Sequence, residues 1–360
     1  MKKILLACLT LTLVLCLLPT KAQAATVDSG TCGDNLTWTL DDAGTLTISG
    51  TGPMRDYSMG SFHWGNDRII KTLIIKEGVT AIGECAFKDC TDLTSVTISN
   101  SVTTIGNNAF YGCTGLTSMT LPNSVTAIGY FAFTRCTKLT SITIPNSVTT
   151  IGGGAFNNCT GLTSITIPDS VTVIEDFTFD SCTGLTSVTI PNSVTAIEDF
   201  AFTGCTGLTS ITIPDSVTTI GGAAFVRCTG LTSVILGNNV TTIKSSELNN
   251  RGAFEGCTSL TEIYIPVSML SIADNAFKDA PLKTVRYGGT KEQWESSTLK
   301  NSPVFSGVEL KFAEKPVDET TTPDTSNGQK TILWIAITAL SVILVGSVTG
   351  FVLLRKKNKA

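Results

Sequence analysis

The stretch that decides the fold is Ile144-Pro145-Asn146-Ser147-Val148-Thr149-Thr150-Ile151-Gly152, followed by Ala155-Phe156 and then Cys159-Thr160-Gly161-Leu162-Thr163-Ser164-Ile165-Thr166. Twenty-three residues after Ile144 it begins again, at Ile167-Pro168-Asp169-Ser170-Val171. Its Phe recurs at 87, 110, 133, 156, 179, 202, 225, 254 and 277, and every step is 23 residues except 225 to 254, which is 29. The Cys recurs at 90, 113, 136, 159, 182, 205, 228 and 257 and becomes Ala280 in the last copy. A unit this short cannot bury its own apolar face, so it must stack on its neighbours, and a fixed period means a solenoid.

Within a unit, Leu162-x-x-Ile165-x-Ile167 alternates apolar and polar residues with β-branched side chains, which predicts a short strand. Ile165 and Ile167 should point inward, and Ser164 and Thr166 outward. Stacked copies give a parallel sheet with strands about 4.8 Å apart, and Pro168 ends the strand because it has no N–H for the ladder. Val171-Thr172-Val173-Ile174 reads as a second, shorter strand, and Ala-Phe-x-x-Cys as a single helical turn. Between Ile243 and Phe254 the spacing is longer by six residues, an insertion at 244–249 that should project from the turn region.

This pattern resembles the leucine-rich repeat superfamily, and within it the BspA-like subclass, over residues 69–287. The resemblance implies an α/β-type solenoid, mostly β. It implies a right-handed array with a parallel sheet on the concave side, a β-rich N-terminal cap and a small C-terminal cap. It also implies a surface protein with a role in adhesion and host-protein binding.

The flanks are read from composition. Lys2 and Lys3, the apolar run Ile4 to Leu18, and Ala22-Gln23-Ala24 form a secretory signal over 1–24. Residues 25–68 are an N-terminal β cap, with a hairpin whose strands carry Leu36, Trp38 and Leu40 and whose turn ends at Gly44. Tyr57, Phe62 and Trp64 would then cover the open first edge. Residues 288–312 are a C-terminal cap with Trp294 as its lid. Residues 313–330 are too polar to fold and form a linker. Residues 331–354 are an uncharged stretch long enough to span a bilayer, and the basic tail 355–360 places the C-terminus inside. Pro323-Asp324-Thr325-Ser326 resembles a Gram-positive cell-wall sorting signal, with Thr322 and Ser326 where that signal has Leu and Gly. Wall attachment after sorting and a permanent single-pass anchor both fit.

All 29 Asp and Glu lie between Ala25 and Gln329, whereas Lys2, Lys3, Lys21, Lys330, Arg355, Lys356, Lys357 and Lys359 fall outside it. The exported span is therefore more acidic than the net charge of −4 indicates, which argues against a nucleic-acid partner. The Cys column should be a row of small buried hydrophobes, because stacked strands hold neighbouring Cys too far apart for disulfides. Cys32 and Cys85 lie off it, and whether they pair is open. His63 is the only His, so nucleophile–His chemistry has no second partner along the array. Glu175-Asp176 and Glu198-Asp199 fall one period apart, where a solvated acidic patch is expected over a calcium site.

No catalytic residue, cofactor or metal ligand is expected, and the chain is read as a non-enzyme. Binding should use the turns and last strands, where the repeat varies. The candidates are Tyr130, Phe131, Asp176, Phe177, Asp199, Phe200, Arg227, Lys244, Glu247, Tyr264 and Arg286, although phenylalanines such as Phe131, Phe177 and Phe200 more often pack than bind. The partner would be an extracellular protein or glycan. The competing reading is a passive surface scaffold, favoured by the uniform Ser/Thr columns of the outward strand positions.

Overall fold

A computed structural model of the chain describes residues 24–60, 64 and 69–312. The expectations for the signal peptide core, Phe62, His63, the linker, residues 323–326, the span 331–354 and the basic tail lie outside those residues. Among the described residues no helix is long and apolar enough to cross a membrane.

The protein is a mostly β, parallel-sheet solenoid. Strands β1 (Thr26–Gly33), β2 (Leu36–Asp41) and β3 (Thr45–Gly50) form an antiparallel meander, with Trp38 opposite Ile48. β3 then pairs in parallel with β5 (Thr72–Ile75), and β5 with β7 (Ser95–Ile98). The short β4 (Gly52–Pro53) pairs in parallel with β6 (Val79–Ile82). The hairpin thus feeds directly into both sheets of the array, and its inward Leu46 and Ile48 are continued by Leu73 and Ile75. At the other end Glu309–Phe312 adds one more parallel strand beside Thr284–Tyr287.

The expected single sheet of strand-one segments is interrupted. After β7 these strands pair as Ser118–Thr120 with Ser141–Thr143, then Ser164–Thr166 with Ser187–Thr189. A continuous set runs from Ser210–Thr212 to Glu309–Phe312. Most of these strands are three residues long, so losing one bond ends a ladder. Across the gap between Thr143 and Ser164, the Thr163 N–H and Oγ1 still reach the Thr140 carbonyl, each at 3.4 Å.

The Ala-Phe-x-x-Cys segment is not the helical turn expected. It is a chain of tight turns with one or two left-handed residues per repeat. Cys85, Asn108, Phe131, Gly154, Phe177, Phe200 and Ala223 hold the first position, at φ 53° to 66°. Asp89, Gly112, Arg135, Asn158, Ser181, Gly204, Arg227, Gly256 and Asp279 hold the second, at φ 57° to 73°. The physical reason lies in the bonding. Alternate N–H groups point along the array instead of back into their own turn. Asn108, Phe110 and Gly112 donate to the carbonyls of Tyr130, Ala132 and Thr134 at 2.7–2.8 Å. The intervening Ala109, Tyr111 and Cys113 close local turns to Gly106, Asn108 and Phe110. A helix would aim its N–H groups along its own axis at carbonyls of the same segment and leave the next repeat unbound on this side.

Inside, the Phe rings form an unbroken stack. Successive centroids from Phe87 to Phe277 are 5.1–5.6 Å apart with planes within 23°. The stack passes the six-residue insertion without a gap, since Phe225 and Phe254 are 5.1 Å apart. Trp64 extends it at the N-terminal end, 5.8 Å from Phe87 and nearly coplanar. At the C-terminal end helix α1 (Lys291–Ser296), opened by a Thr290–Gln293 capping box, sets Trp294 edge-on to Tyr287 and Phe305.

All ten described cysteines are free, Cys32 and Cys85 included. From Cys113 to Cys257 each column thiol donates to the carbonyl of the Phe in the preceding repeat, as Cys159 does to Phe133 at 3.1 Å. Burial pushes the thiols from Cys113 to Cys228 up, Cys136 and Cys182 to about 12, so they are protonated donors.

The Ser/Thr richness has a similar cause. Ser124, Ser147 and Ser193 donate to the Val carbonyls of the preceding turn at 2.6–2.7 Å, and Thr103, Thr126 and Thr149 reach preceding Thr carbonyls at 3.1–3.3 Å. The Ser hydroxyls take up Val carbonyls at a 22-residue offset, and the Thr hydroxyls add a second bond to Thr carbonyls that already accept the same residue's N–H at a 23-residue offset.

Candidate functional site

The uniform outer strand positions, Ser118/Thr120 through Ser187/Thr189, are exposed. Besides the last strands, variation concentrates on the turn face, where two residues before each Ala-Phe (Thr-Phe in one repeat) change from repeat to repeat. In order they are Asn107-Asn108, Tyr130-Phe131, Gly153-Gly154, Asp176-Phe177, Asp199-Phe200 and Gly222-Ala223.

Tyr130 and Phe131 are 56% and 40% exposed. Their rings lean onto the next turn. A Cβ on Gly153 would lie 3.5 Å from Tyr130 Cδ1, and one on Gly154 only 2.3 Å from Phe131 Cδ1 and Cε1. The Gly pair therefore makes room for the aromatic pair. Phe131 holds φ 55°, a conformation unfavourable for a bulky side chain.

Phe177 and Phe200 behave differently. Their rings stack at 4.7 Å with planes 5° apart, and they pack with Ala223 and Val226 in a small satellite cluster outside the main core. Phe200, a candidate contact residue of a kind that more often packs than binds, does pack: it is only 8% exposed, with Ala223 and Val226 from the next turn against it. Tyr264 is displaced from the expected exposed set. At 4% exposure its ring lies over Gly288, whose missing side chain leaves room for the hydroxyl. Arg286, in register with Tyr264, is half-buried and paired through Nε to Glu262 Oε1. Arg227 is exposed at a left-handed position.

The insertion forms a small closed loop. Ser245 bridges Gly252, and Ser246, which is buried, donates its N–H to the Arg251 carbonyl at 2.8 Å. It sits directly on Gly222, where any Cβ would fall 1.8 Å from Ser246 N. Lys244, Glu247 and Leu248 are exposed on this loop, as expected of a projection.

Four carboxylates lie on the two turns between the aromatic pair and the insertion. Asp199 Oδ1 accepts the Gly222 N–H at 2.7 Å. The Asp176 carboxyl is raised from its ordinary value by partial burial and then by the Asp199 charge, against a hydrogen bond from the Asp199 backbone. Glu198 is raised by partial burial and then by Asp176, with Lys244 pulling it down. A carboxyl raised in the folded state favours folding below its ordinary value, and that contribution is lost as pH rises through the raised value. Glu198→Gln is therefore expected to raise the melting temperature slightly at pH 7, by about 1–2 °C, with no gain below about pH 4. A lower melting temperature for the variant at pH 7 would contradict this electrostatic picture. Among the described residues no group of three His, Cys, Asp or Glu is placed to hold a metal.

One feature of this face escaped the sequence reading. Tyr111 lies beneath two cations, with Lys88 Nζ 5.6 Å and Arg135 Cζ 5.8 Å from its ring centroid. The available signal was that Lys88 and Tyr111 fall one period apart.

A family model described as BspA type leucine rich repeat region (6 copies) matches residues 58–185, 150–252 and 172–306. No curated protein matches the chain. Among solved structures, it is similar to a leucine-rich repeat protein from Eubacterium ventriosum, at 24% identity over 80% of this chain and 97% of that one, with a TM-score of 0.40. A leucine-rich repeat protein from Bacteroides ovatus is 24% identical over 78% and 99%, with a TM-score of 0.40. A leucine rich cell surface protein from Faecalibacterium prausnitzii is 23% identical over 76% and 98%, with a TM-score of 0.38.

Proposed function

The chain belongs to the BspA-type leucine-rich repeat family, and on that premise we propose that it is a non-enzymatic, surface-displayed binding module that recognises an extracellular protein or glycan. The observation that carries this is the exposed Tyr130–Phe131 pair. Phe131 keeps an unfavourable backbone conformation where the repeat before it has Asn108 and the repeat after it Gly154. Unlike Phe177 and Phe200, it does not recover that cost by burial in an aromatic stack. Strain retained at an exposed aromatic fits a contact residue better than a structural one. The turns that follow it along the array carry charges, Asp176, Asp199, Arg227, Lys244 and Glu247, that extend such a surface in one direction.

Display completes the reading. Residues 1–24 direct export, the cap 25–68, repeats 69–287 and C-terminal cap 288–312 lie outside the cell, and 313–330 tethers them to a span at 331–354. A cut at the sorting-like Pro323–Ser326 would instead join them to the wall. The test is binding of the full-length chain to immobilised matrix proteins, mucins and glycans. Saturable binding to at least one class is expected, weakened at least about tenfold when Tyr130 and Phe131 are both changed to Asn. Absence of saturable binding to every class would leave a passive scaffold instead.

A further inference from the structure

The turn face places three unlike surfaces side by side. First come the exposed rings of Tyr130 and Phe131. Next is the side-chain-free step of Gly153 and Gly154, on which those rings lean. Then come the carboxylates of Asp176 and Asp199, with Glu175 and Glu198 beside them in sequence. The Gly153 step lies between the Tyr130 ring and the Asp176 turn, because a Cβ placed there would lie 3.5 Å from the ring and 2.9 Å from the Asp176 backbone carbonyl oxygen. Nothing larger than hydrogen separates the ring from the Asp176 backbone along that line.

The same face shows what chemistry such a ring accepts. The Tyr111 ring already lies beneath Lys88 and Arg135 of its own chain. Tyr130 presents its ring to solvent, and the turn beyond the glycine step carries the exposed Asp176. An aromatic face with anions beside it attracts a cation twice over, through the ring quadrupole and through Coulomb attraction. The acidity of the whole exported span would steer a basic partner toward it.

We propose that the Tyr130–Phe131 platform docks an Arg- or Lys-rich segment of a partner protein, with one cationic side chain lying over the Tyr130 ring and another facing the Asp176 carboxylate two turns on. This rests on the reading of the turn face as a recognition surface and names its partner class. A neutral glycan stacking on the same rings would leave the recognition reading intact and overturn this one.

The test uses the full-length chain and a labelled hexa-arginine peptide, with hexa-glutamate and a neutral hexasaccharide in parallel. Hexa-arginine should bind saturably and hexa-glutamate should not. Tyr130→Ala and Asp176→Asn should each weaken hexa-arginine binding about three- to fivefold. Asp169→Asn should leave it unchanged, because Asp169 is an exposed carboxylate on a different turn, where other repeats carry Asn146 and Asn192. Phe131→Asn separates contact from fold, since it places Asn, as at Asn108, at a left-handed position. It should weaken binding while stability holds or rises. Equal losses in Asp169→Asn and Asp176→Asn would reduce the effect to diffuse charge and overturn the proposal. So would no saturable binding of hexa-arginine, or hexasaccharide binding that Tyr130→Ala abolishes.

Discussion

Phe156→Ala is expected to lower the unfolding free energy by about 3–5 kcal/mol. Phe156 has no exposed surface, and its ring is stacked 5.5 Å from Phe133 and 5.6 Å from Phe179. The cavity left behind has little means of collapsing. Above and below it the backbone is tied turn to turn, with Phe133 N–H on the Ala155 carbonyl at 2.8 Å and Phe156 N–H on Thr178 at 2.9 Å. Drawing the neighbours inward would break those bonds, so the loss should fall in the upper part of the range for buried Phe. In an array stabilised by nearest-neighbour contacts the damage acts on two interfaces at once. The urea transition of the variant should therefore shift to lower concentration and broaden, as the two halves of the array begin to melt separately. A loss under about 1 kcal/mol would mean that the ring column contributes little to stability.

Trp64→Ala should have an effect of similar size, about 3–5 kcal/mol, and a second consequence that Phe156→Ala lacks. Trp64 lies flat on Phe87, takes the edge of Trp38 at 5.3 Å, and donates Nε1–H to the Ala86 carbonyl at 2.6 Å. It closes the apolar column at the end where the array would otherwise present an open ring. Removing it uncovers Phe87, and end-to-end association should follow at micromolar concentration, visible by sedimentation velocity. Trp64→Phe keeps the stacking and loses the hydrogen bond. It should cost only about 1–2 kcal/mol and remain monomeric. A monomeric Trp64→Ala chain of unchanged stability would show that this residue does not act as the lid.

These two predictions draw on the part of the molecule that was open to reading in the chain itself. Inward positions repeat strictly because every turn meets the same neighbours above and below. The Phe, Cys, Leu and Ile columns could therefore be named before any coordinates, as could the pairing of Leu36–Asp41 with Thr45–Gly50 and the place of Trp294. The helical turn was misread because the sign of φ is not written in a hydrophobic pattern. The recurrent Asn108, Gly112, Gly154, Asn158 and Gly204 were the available clue to left-handed positions.

The candidate site divides along the same line. That the turns vary and carry aromatics and charges is a property of the sequence. Which aromatics stay exposed depends on what the next turn supplies. Gly153 and Gly154 leave Tyr130 and Phe131 open, Ala223 and Val226 bury Phe200, and Gly288 admits Tyr264.

By itself the sequence determined the period, the solenoid, the residues of its core and the place of its one insertion, since a repeat that must bury its apolar face by stacking has only one way to do so. Only the tertiary structure decided that the Phe carbonyl accepts the thiol of the following turn, that the turn face is bonded along the array, and that one aromatic pair is left open. Each of these rests on contacts between residues 22 to 26 positions apart, set by side-chain size and backbone sign on adjacent turns, which no single repeat contains.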